Sequence, residues 1–506
     1  MCHPQNFFAK NLTLIILLAI ATLSRLAWLG MRPFDGDEGI VIKIASAGNF
    51  RELLAGIARD VQPPLTHIIE FLNLKIFSLT EFYSRLPFAI LSIATIVLTF
   101  VLAGKIEKRR LPVLVALACI FSATLAYFAQ EIRPYALLTF LFYLQLFAFD
   151  KFLSQKSVWS LVGFIFASFA LLLTQYIAFI ILFGELLYII YAKKFNWRSL
   201  IAVFAIVVLF VLSWGQTFLD QIQGRFMEQS QALNLKENIT GVINAFYRFS
   251  AGRVFLDLSP SISKNIEFLK SNPLLFIFFI IGFVIPFALF IWGTKILYKK
   301  NKKIFIFGLF LLVPIILAAF VSSEIGPRAS RYLSFLSPIY YGVIFLPITF
   351  KPKNKLALSL TIIFAIVMIS GFIRGYFERT RPGADVIAKK ISQDARPQDV
   401  VIVRGGFGGG ESFILDYYLD ELLNMPPKIY DIYGDYKVGN LAEIKSRKPE
   451  SIIRESKTAD NKVYYYDLTY SFDEKKLSGL LYSKENLGKD KEDKDLILYV
   501  YVKDLN

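Results

Sequence analysis

Apolar residues in this chain run in long unbroken blocks, and polar residues gather in short clusters between them. Eleven blocks can be delimited, at 12–31, 84–104, 112–130, 135–150, 158–174, 176–192, 199–215, 273–294, 304–322, 333–350 and 356–375. Their lengths sit close to the roughly 20 residues an α-helix needs to cross a bilayer core, so the pattern predicts eleven spans. Lysine and arginine collect at alternate ends of the blocks: Lys105 to Arg110, Lys151 and Lys156, Lys193-Lys194 with Arg198, Lys295 to Lys303, and Lys351 to Lys355. Short loops rich in these residues stay in the cytoplasm, which puts the amino terminus inside and the carboxyl terminus outside. One more apolar stretch, Pro64 to Leu79, carries His67, Glu70 and Lys75. Counting it as a span would invert every later loop, so it is expected to lie as an interfacial helix in the outer leaflet. Two long outer loops follow from this topology, 32–83 and 216–272.

After Tyr376 the pattern changes. About one residue in three is charged, and short alternating segments begin. Asp399 to Arg404 and stretches near 429–433, 463–468 and 496–502 read as strands, and Glu411 to Leu423 as an amphipathic helix. Strands alternating with helices predict a small α/β domain with a mostly parallel sheet. The expected fold class is therefore a polytopic α-helical membrane protein with a C-terminal extracytoplasmic α/β domain. Residues 1–375 form the membrane domain with both outer loops, and 376–506 the soluble one.

Composition agrees: 55% of residues are hydrophobic and the net charge is +16, with a mean hydropathy of +0.51. Residues 376–506 hold 21 Lys and Arg against 23 Asp and Glu, so the basic surplus lies in the membrane part. It reflects topology rather than nucleic-acid binding. The two cysteines, Cys2 and Cys119, offer no zinc or redox spacing. The first block is too long for a signal-peptide core and lacks a small-x-small cleavage site, so it reads as a retained signal anchor. The run Gly405 to Gly410 follows a strand and precedes a helix, as a dinucleotide turn does. Its spacing fails, because Glu411 stands at the third glycine position and would oppose a pyrophosphate.

Four polar clusters fall at the outer ends of the blocks: Asp35-Gly36-Asp37-Glu38, Gln130 to Tyr135, Thr174-Gln175-Tyr176, and Glu324 to Tyr332. A site assembled there cannot depend on cytosolic nucleotide sugars or ATP. In order and topology the chain resembles the GT-C membrane glycosyltransferases. It is most similar to the branch holding protein O-mannosyltransferases, the lipid A aminoarabinose transferase and the RgtA/B/C/D-like bacterial transferases. The residues that carry the resemblance are Asp37-Glu38, Gln62-Pro63-Pro64-Leu65, Arg85-Leu86-Pro87, Gln130 to Tyr135, and Arg331-Tyr332-Leu333 with Pro338, over about residues 10–350.

The resemblance implies inverting transfer of a sugar from a polyprenyl phosphate to an acceptor at the outer face. A phosphate-linked sugar already has a good leaving group, so one carboxylate suffices to deprotonate the acceptor hydroxyl. A hydrolase would usually need two at a set separation. By position Asp37 matches the family's base, with Glu38 orienting it or holding an acceptor or metal. Arg133, Arg328 and Arg331 suit the lipid phosphate, because guanidinium donates two parallel hydrogen bonds; the other reading for each is interfacial anchoring. Asp35, Gln62, Glu131, Tyr135, Gln175, Tyr176 and Tyr332 complete the candidate set, the tyrosines also suiting an aromatic belt. Gln62 stands where a basic or histidine residue often precedes the diproline. Gln175-Tyr176 stands where a His-Tyr pair is common. With only His3 and His67 in the chain, a histidine-rich metal site is excluded, and Asp37, Glu38 and Glu131 are left as ligands for a divalent ion.

Arg25 and Glu185 are intramembrane charges, which default to functional suspects, although a Glu185–arginine pair that only holds helices together is equally consistent. A transporter or flippase for a lipid-linked substrate would need charges or broken helices at the bilayer midplane, where Glu185 and Pro286 are meagre support. A non-catalytic scaffold would tolerate neutralising Asp37. The sequence names neither the sugar, the carrier nor the acceptor.

Overall fold

The computed structural model describes residues 4–228, 234–252, 273–322, 325–326, 328–377, 383–404, 410–431, 462–467, 482–489 and 495–501. Among these, six helices are long and apolar enough to cross a membrane: Glu81–Ala103, Pro134–Ser154, Trp197–Gln223, Phe279–Lys300, Lys302–Val321 and Lys355–Gly375. Shorter apolar helices, Leu12–Leu26, Leu111–Phe121, Val158–Leu172, Ala178–Tyr191 and Ser334–Phe350, fall in the other five expected spans. The protein is a mostly helical integral membrane protein.

The chain divides into two compact units. One comprises Met1–Leu29, Ile57–Thr66 and Arg85–Phe377, and the other Gly30–Gly56, His67–Ser84 and Glu378–Asn506. Most of the loop 32–83 thus groups with the C-terminal residues, whereas the hydropathy pattern assigns it to the membrane part.

In the first unit, the block at 112–130 is two helices, Leu111–Phe121 and Ala123–Phe128. Ser122 between them is extended and caps the second, accepting from the Leu125 N–H at 3.2 Å. The break is fixed from outside, since Ser122 also accepts the Tyr341 hydroxyl at 2.8 Å. The block at 199–215 does not stop there. A π-helical turn, Val211–Gly215, carries it into the helix Gln216–Glu228. Parts of the second outer loop, 229–233 and 253–272, lie outside the described residues.

The second unit holds a five-stranded sheet of β1 (Val400–Arg404), β2 (Lys428–Asp431), β3 (Val463–Asp467), β4 (Tyr482–Lys489) and β5 (Asp495–Tyr501), in the order β2-β1-β3-β5-β4. β1 pairs in parallel with β2 and β3, but β5 is antiparallel to both β3 and β4. The expectation of a mostly parallel sheet is corrected on that half. β4 was not foreseen, because its sequence, YSKENLGK, has no apolar alternation. Val401, Ile402, Val403, Tyr464 and Tyr465 are all buried, as expected for central strands covered on both faces.

The stretch Pro64 to Leu79 forms the helix Leu65–Ile76, which is not among the apolar helices that could cross a membrane. Its polar residues His67 and Glu70 are buried while Leu72 and Ile76 are exposed.

Candidate active site

The acidic turn belongs to the second unit. Asp35 is the N-cap of the helix Gly36–Ala45 and forms a capping box with Glu38. Its carboxylate accepts the Glu38 N–H at 3.0 Å, and Glu38 Oε2 accepts the Asp35 N–H at 3.1 Å. The other Glu38 oxygen pairs with Arg32 Nη2 at 3.1 Å, and the side chain is fully buried. Both Glu38 oxygens are therefore engaged in holding the turn. Asp37, in the first helical turn, is partly exposed.

Gly36 and Gly39 allow a close approach, and what approaches is the helix Gly410–Leu422. A Cβ on Gly39 would lie 2.4 Å from the Gly410 carbonyl oxygen, and one on Gly410 would lie 2.0 Å from that of Gly36. Tyr418 from the same helix accepts the Phe34 N–H at 2.8 Å and donates to Glu81 Oε1 at 2.6 Å. This buttress was missed because single tyrosines in an amphipathic helix carry no motif. The glycine loop before it, 405–409, lies outside the described residues.

Glu70 is fully buried in this unit and accepts from Asn73 Nδ2 at 3.5 Å. Burial pushes its carboxyl up to about 8, with the neighbouring Glu38 charge adding to the rise and Ser84 and Asn73 partly offsetting it.

The arginine site belongs to the first unit. Arg133 is extended (φ −135°, ψ 159°) and is the N-cap of Pro134–Ser154, with Pro134 opening that helix. Proline suits this first position because its missing N–H would have no helical acceptor there. With the Gln62 amide oriented so that its oxygen faces the guanidinium, it accepts from both terminal nitrogens of Arg133, at 3.0 and 2.8 Å. Gln62 thus accepts here. Gln130 and Glu131 are buried; the Gln130 amide donates to the Arg25 and Ala27 carbonyls at 2.8 and 3.3 Å.

Tyr135 meets Tyr332 edge-on, with ring centroids 6.5 Å apart, and packs on Phe128 at 4.6 Å. Arg328 caps the short helix Ala329–Tyr332, in which Arg331 lies. Between them Ser330 accepts from Arg248 at 2.9 Å, an arginine on the helix Leu235–Ala251 that no motif singled out. Glu324 and Pro327 of this cluster lie outside the described residues. Gln175 is buried. Tyr176 donates to Gln221 and accepts from Trp214 Nε1, the latter at 3.1 Å.

The two charges expected within the membrane hydrogen-bond to neighbouring helices. Arg25 donates to Ser92, Ser24 and the carbonyls of Ile120 and Cys119 at 2.6–3.0 Å. Glu185 accepts from Gln145 at 2.6 Å rather than from an arginine. A divalent ion on Asp37, Glu38 and Glu131 stays an open possibility. Among the described residues no group of three or more His, Cys, Asp or Glu is arranged to hold a metal ion, and Glu38 is committed to Arg32 and the Asp35 N–H.

No family model and no curated sequence matches the chain. Its structure is similar to ArnT from Cupriavidus metallidurans in the apo state, with a TM-score of 0.60 and 13% identity over 97% of this chain and 98% of that one. The same protein bound to undecaprenyl phosphate aligns with a TM-score of 0.59 and 14% identity over 96% and 97%. The Archaeoglobus fulgidus oligosaccharyltransferase tethered to an acceptor peptide aligns with a TM-score of 0.50 and 11% identity, over 85% of this chain and 64% of that one. These proteins are GT-C glycosyltransferases, and the chain has the GT-C fold.

Proposed function

We propose that the protein is an inverting glycosyltransferase that moves a sugar from a polyprenyl phosphate to an acceptor hydroxyl at the outer face of the membrane. The observation that carries this reading is the Gln62–Arg133 pair. An arginine fork is held by a neutral acceptor at the head of a span, in a fold shared along 96% of the chain with a protein that binds undecaprenyl phosphate. A guanidinium held in a fixed orientation can offer a lipid phosphate two parallel hydrogen bonds and a permanent charge.

Asp37 is the base. Its carboxylate takes the acceptor hydroxyl proton as the acceptor oxygen bonds to the anomeric carbon. The bond from that carbon to the phosphate oxygen breaks, and polyprenyl phosphate leaves with the electron pair. Arg133, with Arg328 and Arg331, stabilises the phosphate charge on departure. Asp35 and Glu38 hold the turn. The acceptor, a lipid, glycan or peptide group, is selected by the second outer loop and the C-terminal residues.

The test is a panel of radiolabelled polyprenyl-phosphate sugars offered to the purified protein in lipid. Label should move to an acceptor with the wild type and not with Arg133→Ala. Labelled lipid that crosses the bilayer unconsumed would favour a flippase, and no handling of any donor would end the reading.

A further inference from the structure

Gln221 stands on the helix Gln216–Glu228, just beyond the π-helical turn Val211–Gly215, and is 7% exposed. Its side-chain amide donates to the backbone carbonyls of Asp60 (2.6 Å), Ile57 (3.2 Å) and Gln62 (3.4 Å). Two hydrogens thus serve three carbonyls, all on the link that carries Gln62. The Gln221 oxygen accepts the Tyr176 hydroxyl, and Tyr176 is itself fixed by Trp214. The far end of the link is tied separately, by the Leu65 N–H to the Leu173 carbonyl at 2.9 Å. Single-turn π segments re-aim the residues beside them and recur at functional sites. Here one contains Trp214 and runs into the helix of Gln221, the two side chains that bond to the Tyr176 hydroxyl.

We propose that Gln221 is a positioning residue for the donor-phosphate arginine: it fixes the backbone of Gln62, and Gln62 fixes the fork of Arg133. The inference rests on the reading of Arg133 given above. Glutamate at 221 keeps the acceptor for Tyr176 but turns a donor into an acceptor facing three carbonyls. The link should loosen and the fork lose its orientation while its charge stays.

The experiment uses full-length protein in nanodiscs, titrated with undecaprenyl phosphate, alongside hydrogen exchange of the amides of 57–66. Gln221→Glu should speed exchange across the link and weaken affinity roughly tenfold, the scale of a lost hydrogen bond or two. Tyr176→Phe should act in the same direction, more weakly. In a Gln62→Ala background the Gln221→Glu effect on affinity should vanish, because the relay is already cut. Additive losses would show that Gln221 only stabilises the fold, and unchanged exchange would show that it does not hold the link; either overturns the proposal. Faster exchange in a protein whose wild type has no affinity for undecaprenyl phosphate would instead overturn the donor reading, and this inference with it.

Discussion

Glu70→Gln should make the second unit more stable, and by an amount that grows with pH. In the unfolded chain this carboxyl releases its proton near the ordinary value of 4.5, but in the folded protein it holds the proton to about 8. Below 4.5 both states are protonated and the group adds no pH dependence. Between 4.5 and 8 the unfolded state binds fewer protons than the folded one, so stability falls as pH rises and levels off above 8. The shift spans about 3.5 units at about 1.4 kcal/mol each, so wild type should lose on the order of 4–5 kcal/mol across that window. Glutamine is neutral throughout and removes the slope. The carboxylate formed at high pH would also face Glu38, whose ion pair with Arg32 holds the acidic turn, so loosening should appear there first. The assay is hydrogen-exchange protection of the amides in Gly36–Ala45 and Leu65–Ile76, corrected for the intrinsic rate, from pH 5 to 9. Protection in the variant should match wild type near pH 5 and exceed it increasingly toward pH 9. Parallel profiles for the two proteins would refute the reasoning.

Three other outcomes are expected. Arg133→Lys should lose much of the transfer activity and Arg133→Ala nearly all, because a point charge replaces a fork that Gln62 grips at two nitrogens; unchanged donor affinity and turnover in both would reassign the residue to anchoring. Gly39→Ala should destabilise the second unit by roughly 1–3 kcal/mol or more, read as a lower melting temperature, since its new methyl would meet the Gly410 carbonyl at 2.4 Å. Single cysteines at 325 and 440 should react with an impermeant thiol reagent from outside while those at 108 and 301 should not; labelling of 108 would turn the proposed topology over.

The apolar blocks place the helices well because hydrocarbon solvation acts on every residue of a span. What they miss is interruption. Ser122 breaks the block at 112–130 through a hydrogen bond from Tyr341, more than two hundred residues away, and no local pattern contains that. The role of Glu38 had a local signal that the family comparison obscured. Asp35-Gly36-Asp37-Glu38 fits a capping box, in which an acidic cap is answered by glutamate three residues on. β4 was illegible because its pairing with β5 is set by the neighbouring strand and not by its own polar sequence. Gln221 and Tyr418 share another limit. Each acts through hydrogen bonds to segments more than a hundred residues distant, so neither spacing nor periodicity marks it.

The proposed mechanism turns on the carboxylate at 37 removing the acceptor proton during transfer from a polyprenyl phosphate. Sugar transfer by purified protein in lipid, compared between wild type, Asp37→Asn and Asp35→Asn with folding and donor binding checked separately, tests it most directly. Asp37→Asn should fold and bind donor but turn over at least about a hundredfold more slowly, the usual scale for losing a general base. Asp35→Asn, which keeps a capping side chain, should lose far less. An Asp37→Asn protein as active as wild type would contradict the account. If Asp35→Asn were then inactive, the base would be Asp35, and if both variants were active the protein would not be a transferase of this kind.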